Sequence, residues 1–272
     1  MKQYHDLLRT VLADGCLRSD RTGVGTISSF GHMLKFDLRK GLPLVTTKKV
    51  NYKNVVDELL WFLRGETNIN TLNSNIWNEW ADKDGDLGPI YGAQWVKQIE
   101  TVAYNLRYNP FSRRHIVDSW QLEDLPYEFV DPTDNVLLGK MALAPCHMMF
   151  QCYVSSDKTY LDMNVYQRSQ DLFLGAPYNY SSYATLMHIF GAFTDLKPRM
   201  LNYMIGDAHI YINHYNQVRE MLEREERELP TLHMNKHKIT PYFLDYVENL
   251  TVDDFSLENY NPHPFIPAPI AR

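Results

Sequence analysis

The sequence predicts an α+β fold of the two-layer α/β type, with helices packed against a β-sheet. Apolar residues recur at helical spacing in four segments, at 4–13, 51–63, 96–106 and 181–193. Alternation of apolar and polar residues predicts strands at 26–36, 148–154 and 159–166. The last two strands flank a polar turn at 155–158, so we expect them to form a β-hairpin.

The individual elements have local signals of their own. Segment 51–63 is the clearest helix, because Gly65 follows it and its apolar residues form one broad face. The helix at 96–106 is expected to end before Pro110, since the residue before a proline avoids helical backbone. We expect one domain over residues 1–272, with a smaller irregular and helical subregion at 67–138.

Two further segments are expected to carry no chemistry. Residues 122–138 contain prolines and acids and are predicted to form an inserted loop. The charged run at 219–229 is predicted to be a solvated helix end.

Composition excludes several function classes. No apolar run is long enough to span a bilayer, and the polar start of the chain does not resemble a signal peptide. Three cysteines cannot all pair, which disfavours a disulfide framework and favours a reducing cytoplasm. The net charge of -6 argues against a nucleic-acid binder. We therefore expect any anionic ligand to be held by a few placed arginines.

The stretch 141–179 concentrates reactive and ligand-binding side chains. A thiol, Cys146, comes first, and Arg168, Asp171 and Asn179 follow. A free cysteine is usually an inert small hydrophobe, as we expect for Cys16 and Cys152. The hairpin would bring Arg168 close to Cys146, and a nearby cation lowers a thiol pKa. We therefore predict that Cys146 is a nucleophile.

Other uses of these residues remain open. A cysteine hydrolase could pair Cys146 with His147, but adjacent residues on a strand point to opposite faces. A non-catalytic nucleotide-binding module remains possible if the thiol is buried. Glu58 lies among apolar residues of the helix at 51–63, so it must be bonded or have a raised pKa. The glycine-rich loop at 20–26 lacks the third glycine of a dinucleotide fingerprint, and its Arg21 alone would be a solvated charge.

Taken in order, the motifs resemble those of the thymidylate synthase family. Around the nucleophile the chain has Pro-Cys-His at 145–147, Gln-Arg-Ser-x-Asp at 167–171 and Leu-Gly-x-Pro-x-Asn at 174–179. Six further blocks fit the family in the same order, at 20–23, 43–48, 58–63, 88–92, 112–114 and 206–211. The resemblance covers nearly the whole chain.

The resemblance implies a fold and an activity. The fold would be a large mixed β-sheet packed by helices, with one sheet face used for dimerisation. The activity would transfer a one-carbon unit from 5,10-methylenetetrahydrofolate to carbon 5 of dUMP through a covalent Cys146 adduct, without a metal. In the obligate homodimer, Arg113 and Arg114 would bind phosphate in the neighbouring site. Residues 261–272 would form a lid over the folate.

The resemblance also assigns residues to roles. The catalytic residues would be Cys146, Glu58, Tyr91, His147, Arg168, Asp171 and Asn179. The nucleotide would contact Arg21, Arg113, Arg114, Gln167, Ser169, Asn179, His209 and Tyr211. The folate would contact Lys48, Ile76, Trp77, Trp80, Leu143, Asp171, Gly175, Tyr178 and Ala271. Asn179 favours dUMP over dCMP, because an amide matches the uracil edge and members acting on cytosine nucleotides carry aspartate there.

Several departures from the synthase pattern bear on the product. The usual Pro-Phe-Asn-Ile-Ala is Pro-Tyr-Asn-Tyr-Ser at 177–181, and the usual Gly-Gly-Asp begins with Ile205. With Tyr215, these residues resemble the phage deoxycytidylate hydroxymethylase branch, and Arg272 replaces an apolar last residue. Added hydroxyls near the folate would give a wetter pocket. We therefore predict hydroxymethylation to 5-hydroxymethyl-dUMP, in host cytoplasm if the source is viral.

The alternative product is dTMP, formed together with dihydrofolate by a thymidylate synthase. His147, Leu143 and Trp77 keep the synthase pattern and support that alternative. In both cases the thiol would add to carbon 6 of the uracil ring, since carbon 5 is a poor nucleophile until that addition.

Overall fold

The computed structural model describes residues 1–271 and contains a six-stranded mixed sheet packed by helices. The helices are α1 (Lys2–Asp14), α2 (Tyr52–Leu63), α3 (Tyr91–Tyr108), α4 (Pro132–Leu137), α5 (Gly175–Thr194), α6 (Tyr215–Glu223) and α7 (Phe243–Glu248). The strands are β1 (Cys16–Arg18), β2 (Thr26–Asp37), β3 (Ile116–Asp118), β4 (His147–Val154), β5 (Tyr160–Asp171), β6 (Lys197–Tyr211), β7 (Thr231–Met234) and β8 (Phe255–Glu258). Short 3-10 turns occupy Leu38–Lys40, Ile69–Thr71, Ile212–His214 and Val252–Asp254.

The large sheet has the strand order β1-β2-β6-β5-β4-β3. β5 and β6 are parallel neighbours joined through α5, and the other pairs are antiparallel. A separate two-stranded sheet pairs β7 with β8. The predicted α+β class with a mixed sheet is confirmed.

The hairpin of β4 and β5 is confirmed and is longer than predicted. Lys158 has a φ of 57°, in the left-handed region, and Ser155 Oγ accepts a hydrogen bond from the Tyr160 amide at 2.9 Å. The apolar side chains of β5 are buried on one face, so the register is fixed by burial. Because β5 continues to Asp171, the whole Gln-Arg-Ser-x-Asp motif lies on a strand.

Two helices begin earlier than the sequence predicts. α5 begins at Gly175 rather than at 181, because Pro177 falls in the first turn, where no helical N–H donor is needed. Asn179 therefore lies inside the helix, and Leu174 is the N-cap residue. α3 begins at Tyr91 rather than at 96, which places that tyrosine in the first turn.

The predictions for two polar segments need correction. The 122–138 segment is not purely a loop, since it contains α4, whose N-cap Asp131 accepts a hydrogen bond from the Thr133 amide at 3.0 Å. The 219–229 run is not purely solvated, since Arg224 donates to the carbonyls of Thr47 and Pro264 at 2.8 Å and 2.6 Å. Arg224 thereby binds the C-terminal segment to the body of the protein.

One face of the sheet is covered by helices and the other is open. α1 and α5 contact the covered face. The open face exposes Met33 and Tyr153, which retain 56% and 63% of their accessible surface. A groove of about 480 Å³ on this face is lined in part by Arg113, Gln151 and Asn164. Among residues 1–271, no helix is both long enough and apolar enough to cross a membrane.

Candidate active site

Cys146 lies directly before β4 and is held from two sides. Its backbone N–H donates to the hydroxyl of Tyr91 at 2.8 Å, and its carbonyl accepts from the Arg168 amide at 2.9 Å. The Arg168 guanidinium donates to the carbonyls of Ala144 and Pro145 at 2.9 Å and 2.8 Å. Cys146 as a residue is partly exposed, although burial dominates the environment of its sulfur.

Burial and nearby charges have opposing effects on the pKa of the Cys146 thiol. Burial raises the pKa of the thiol above its ordinary value, and the nearby Asp171 carboxylate adds to this effect. The guanidinium groups of Arg168 and Arg21 lower the thiol pKa but do not outweigh burial. The predicted cation is present and lowers the thiol pKa as expected, but burial has the larger effect on the net value. The thiol is protonated at neutral pH.

His147 lies in the interior beside Tyr91. Its ring stacks on the Tyr91 ring at 4.0 Å between centroids and 5° between planes. Nδ1 of His147 is 2.8 Å from the Tyr183 hydroxyl. Burial lowers the pKa of His147 to about 3, so the ring is neutral at physiological pH. A thiolate–imidazolium pair with Cys146 is therefore not formed.

Burial raises the pKa of the Tyr91 phenol well above its ordinary value, because it disfavours the charged form. The phenol is therefore protonated near neutrality, and its oxygen accepts a hydrogen bond from the Cys146 amide.

Glu58 lies on the buried face of α2, where it is both hydrogen-bonded and raised in pKa, the two states that the sequence predicted as alternatives. Trp77 Nε1 donates to Glu58 Oε1 at 2.8 Å. Burial raises the pKa of Glu58 to about 7, despite that hydrogen bond. Trp77 and Trp80 pack edge to face at 5.8 Å and provide apolar surface next to the carboxyl. Burial and the Glu58 charge both raise the pKa of Tyr178, which places that phenol near the carboxyl.

The side chains assigned to the pyrimidine and the sugar meet where β5 and β6 run side by side. The parallel register pairs Ser169 with Asp207 and Asp171 with His209. Nε2 of Gln167 donates to Oδ1 of Asn179 at 3.2 Å. The rings of His209 and Tyr211 are 5.2 Å apart, edge to face.

Asp171 is anchored by the turn that follows β5. Its Oδ1 accepts from the Phe173 and Leu174 amides at 2.8 Å and 3.2 Å. Burial alone would raise the pKa of Asp171, but the nearby imidazoles of His214 and His209 outweigh it and hold that pKa below its ordinary value. Asp171 is thus a fixed anion between the nucleophile and the C-terminal segment.

The phosphate-binding candidates do not come together within one chain. Arg21 is exposed in a loop that Asp20 organises by accepting from the Gly25 amide at 2.8 Å, and its charge reaches Cys146. Arg113 and Arg114 are exposed beside the open face of the sheet.

Lys48 is buried rather than presented to the surface. Its ammonium donates to the Phe173 carbonyl at 2.5 Å and lies 3.7 Å from the centroid of the Phe173 ring. Burial lowers the pKa of Lys48 to about 8, although the Asp171 charge raises it. The other proposed folate contacts are partly exposed, as a binding surface requires: Ile76, Trp77, Trp80, Leu143, Asp171, Gly175, Tyr178 and Ala271. The prediction for Arg272 lies outside the described residues.

Tyr180, Ile205 and Tyr215, which resemble the hydroxymethylase branch, do not form one solvent-exposed surface. Tyr180 is fully buried and its hydroxyl donates to Gln170 Oε1 at 2.8 Å. Ile205 is 2% exposed, and Tyr215 lies at the surface at the start of α6. The expectation that Tyr180 adds a solvated hydroxyl to the pocket is therefore wrong.

Sequence reasoning missed His214, which links Asp171 to the C-terminal segment. Nε2 of His214 is 2.7 Å from the Pro269 carbonyl, and Nδ1 is 3.8 Å from Asp171. Burial would lower the pKa of His214, but Asp171 and the Pro269 carbonyl outweigh it and raise that pKa. The available signal was a histidine three residues after the predicted sugar contact Tyr211.

The raised pKa of Glu58 predicts a pH-dependent stability. Because the folded pKa is about 7 and the ordinary value is 4.5, the contribution of Glu58 to native stability is largest below pH 4.5 and is lost as pH rises through 7. Glu58→Gln should therefore gain up to about 3 kcal/mol relative to the wild type between pH 4 and pH 8, measured by urea unfolding. Glu123→Gln, which removes an exposed carboxylate, controls for net charge. A pH-independent difference for Glu58→Gln would refute the raised pKa.

The raised pKa of Cys146 predicts slow alkylation at neutral pH. In a Cys16→Ser background, the iodoacetamide rate should titrate above the ordinary thiol pKa of about 8.5. Arg21→Gln should move the midpoint higher, because it removes a cation that favours the thiolate. Arg9→Gln on α1 removes the same charge elsewhere and should not move it. A midpoint at or below the ordinary value would contradict the dominance of burial.

Among residues 1–271, no group of three or more His, Cys, Asp or Glu is arranged to hold a metal ion. A family model described as thymidylate synthase matches residues 2–272, nearly the whole chain. Members of that family are transferases that use methylenetetrahydrofolate as co-substrate. The partly exposed Cys146 residue, the anchored Arg168 and the buried amide network fit that chemistry. The chain therefore belongs to the thymidylate synthase family.

Proposed function

We propose that the protein uses Cys146 to attack carbon 6 of dUMP and transfers a one-carbon unit to carbon 5. One observation supports this most strongly. Consecutive residues of β5 hold the nucleophile and the amide, since Arg168 binds the Cys146 loop and Gln167 binds Asn179. The two groups that must act on one ring therefore share a rigid strand.

The chain's residues act on the ring in a defined order. The Cys146 sulfur, having lost its proton, adds to carbon 6, and the displaced electron pair moves to the oxygen on carbon 4. The Asn179 amide donates to that oxygen and stabilises its negative charge. 5,10-Methylenetetrahydrofolate supplies the one-carbon unit that carbon 5 then takes up. Loss of the carbon 5 proton then breaks the bond from the transferred carbon to the folate nitrogen, which leaves as the amine of tetrahydrofolate. An exocyclic methylene remains on the pyrimidine, which is still bonded to Cys146.

Glu58 is suited to proton handling at this stage. A carboxyl whose pKa is about 7 gives up and accepts a proton near neutrality, as general acid–base catalysis requires. Its anchor, Trp77, fixes one oxygen and leaves the other free for water or ligand. Tyr91 orders the backbone of the nucleophile through the Cys146 amide.

We further propose that water, rather than hydride, completes the reaction and gives 5-hydroxymethyl-dUMP. The support is Tyr178, which puts a phenol near Glu58 where the family pattern has phenylalanine. A hydroxyl and a carboxyl together offer the polar partners that hold a water molecule. The alternative, thymidylate synthase, is supported by the apolar Trp77–Trp80 pair, which would hold a pterin against the methylene.

The experiment supplies dUMP and methylenetetrahydrofolate and measures product mass together with dihydrofolate absorbance. We expect 5-hydroxymethyl-dUMP without dihydrofolate, no product from Cys146→Ser, and a larger share of dTMP from Tyr178→Phe. Dihydrofolate formed one-for-one with product would establish the synthase alternative. Failure to form a covalent complex with 5-fluoro-dUMP would instead indicate a nucleotide-binding module.

We propose that the active form is a homodimer joined through the open sheet face. Arg113 lines the groove on that face, and Arg168 lies on the same side of β5, by strand alternation from the buried Val165 and Gln167. An arginine from a second copy would thus approach the anion site near Arg168. The phosphate of dUMP would be bound by Arg21 of one copy and by Arg113 and Arg114 of the other.

A mixing experiment tests the shared site. Arg113→Ala and Cys146→Ser should each be inactive, but an equimolar mixture should regain about a quarter of wild-type activity, because about half of the dimers are hybrids and each hybrid has one intact site of two. Mixing Arg113→Ala with the double variant Arg113→Ala/Cys146→Ser controls for simple dilution and should restore nothing. Equal activity in the two mixtures would exclude the contribution across the dimer.

We propose that the chain acts as one catalytic domain and that residues 261–272 close over the folate. The segment is bound at several carbonyls, since Arg224 donates to Pro264 and His214 lies 2.7 Å from Pro269. Ile266 is buried and anchors it. Lys48 would reach the folate glutamate tail only after leaving the Phe173 carbonyl.

A further inference from the structure

Four polar side chains form a continuous hydrogen-bond chain behind the predicted pyrimidine-binding amide. The Tyr180 hydroxyl donates to Gln170 Oε1 at 2.8 Å, and Gln170 Nε2 donates to Gln167 Oε1 at 3.1 Å. Gln167 Nε2 donates to Asn179 Oδ1 at 3.2 Å. We propose that Tyr180 is a positioning residue that orients the Asn179 amide and thereby sets the preference for dUMP over dCMP. This inference rests on the function proposed above.

The chain has one consistent direction. Gln167 Nε2 also donates to the Ser169 carbonyl at 3.1 Å, and a backbone carbonyl is always an acceptor. Reversal of the Gln167 amide would place its oxygen against that carbonyl. The Gln167 oxygen instead receives donors from Gln170 and from the Tyr203 hydroxyl. In this arrangement Gln167 presents an N–H to Asn179.

This direction decides what Asn179 presents to a ligand. Because Oδ1 of Asn179 accepts from Gln167, its NH₂ group is directed away from Gln167. An amide NH₂ donates to the carbon 4 oxygen of uracil, whereas the carbon 4 amino group of cytosine is itself a donor. The second lone pair of Oδ1 remains available for the N–H at position 3 of uracil. The oriented amide thus matches uracil and opposes cytosine.

The Tyr180 hydroxyl begins the chain, because it is the donor that the buried Gln170 oxygen receives among residues 1–271. Gln170 and Tyr180 are both fully buried, so water does not reach the Gln170 oxygen. The Tyr180 ring is packed against Phe36 and Tyr203, at 5.0 Å and 4.8 Å between centroids. The isoleucine of the family pattern has no hydroxyl at this place. Without the hydroxyl, Gln170 would keep a buried, unpaired carbonyl and would move or reverse. Gln167 would then lose the donor that Gln170 gives to its oxygen and would hold the Asn179 amide less firmly.

The test compares dUMP with dCMP by equilibrium binding and by kcat/KM. Tyr180→Phe should lower the dUMP-to-dCMP ratio by about three- to tenfold, the effect of losing about one buried hydrogen bond. Tyr52→Phe is the matched control, because it removes another buried tyrosine hydroxyl, which bonds Thr185 at 2.8 Å outside the chain. Tyr52→Phe should leave the ratio unchanged.

The Asn179→Asp background separates an effect on the orientation of residue 179 from a general loosening of the binding site. A carboxylate has two equivalent oxygens, so Asn179→Asp removes any choice of orientation while it shifts preference toward dCMP. Tyr180→Phe should therefore change the ratio in the Asn179 background and leave it unchanged in the Asn179→Asp background. An equal change in both backgrounds, or no change in either, would overturn the proposal.

Two outcomes concern folding and the parent function. If Tyr180→Phe does not fold, Gln170→Met breaks the chain at its middle and should give the same fall in the ratio; an unchanged ratio would again overturn the proposal. A wild-type protein that neither binds nor converts dUMP would refute the proposed function. Normal conversion of dUMP with an unaffected Tyr180→Phe ratio would refute only the hydrogen-bond chain.

Discussion

The guanidinium of Arg168 is the main support of the loop that carries Cys146, the proposed nucleophile. It donates to two carbonyls of the loop that carries Cys146, while its own amide donates to the Cys146 carbonyl. Such a planar group can hold a bent loop that no regular ladder would hold. On β6, the strand next to Arg168, Gly206 has no Cβ. A Cβ there would lie 2.6 Å from the Arg168 carbonyl oxygen and would push the two strands apart. β5 and β6 can therefore run close enough to bring Asp171 beside His209.

Because side chains alternate along a strand, consecutive residues of β5 serve the two faces of the sheet. Arg168 lies toward the open face and holds the thiol loop, and Gln167 lies toward the helices and holds the amide on α5. The same strand therefore fixes the position of Cys146 on its loop relative to Asn179 on α5. A shift of β5 by one residue would exchange these two faces and separate the nucleophile from the amide.

Local patterns predicted the hairpin and the meeting of Cys146 with Arg168, because alternation and turn residues act over short distances. The start of α5 was missed because a proline normally indicates a break, but in a first turn it costs no hydrogen bond. The buried state of Lys48, the raised pKa of Cys146 and the inward hydroxyl of Tyr180 were not predictable. Each depends on how strands and helices from distant parts of the chain exclude water from one atom.

The raised thiol pKa and the oriented amide are complementary. A thiol that stays protonated is protected from oxidants, since the thiolate is the form that they attack. Once deprotonated, a thiolate of high pKa is intrinsically a stronger nucleophile than one of low pKa. In the proposed mechanism, carbon 6 of the pyrimidine becomes electrophilic only when Asn179 donates to the oxygen on carbon 4. Burial of Cys146 and orientation of Asn179 would then act together, because the sulfur would react only when the matching ring is bound.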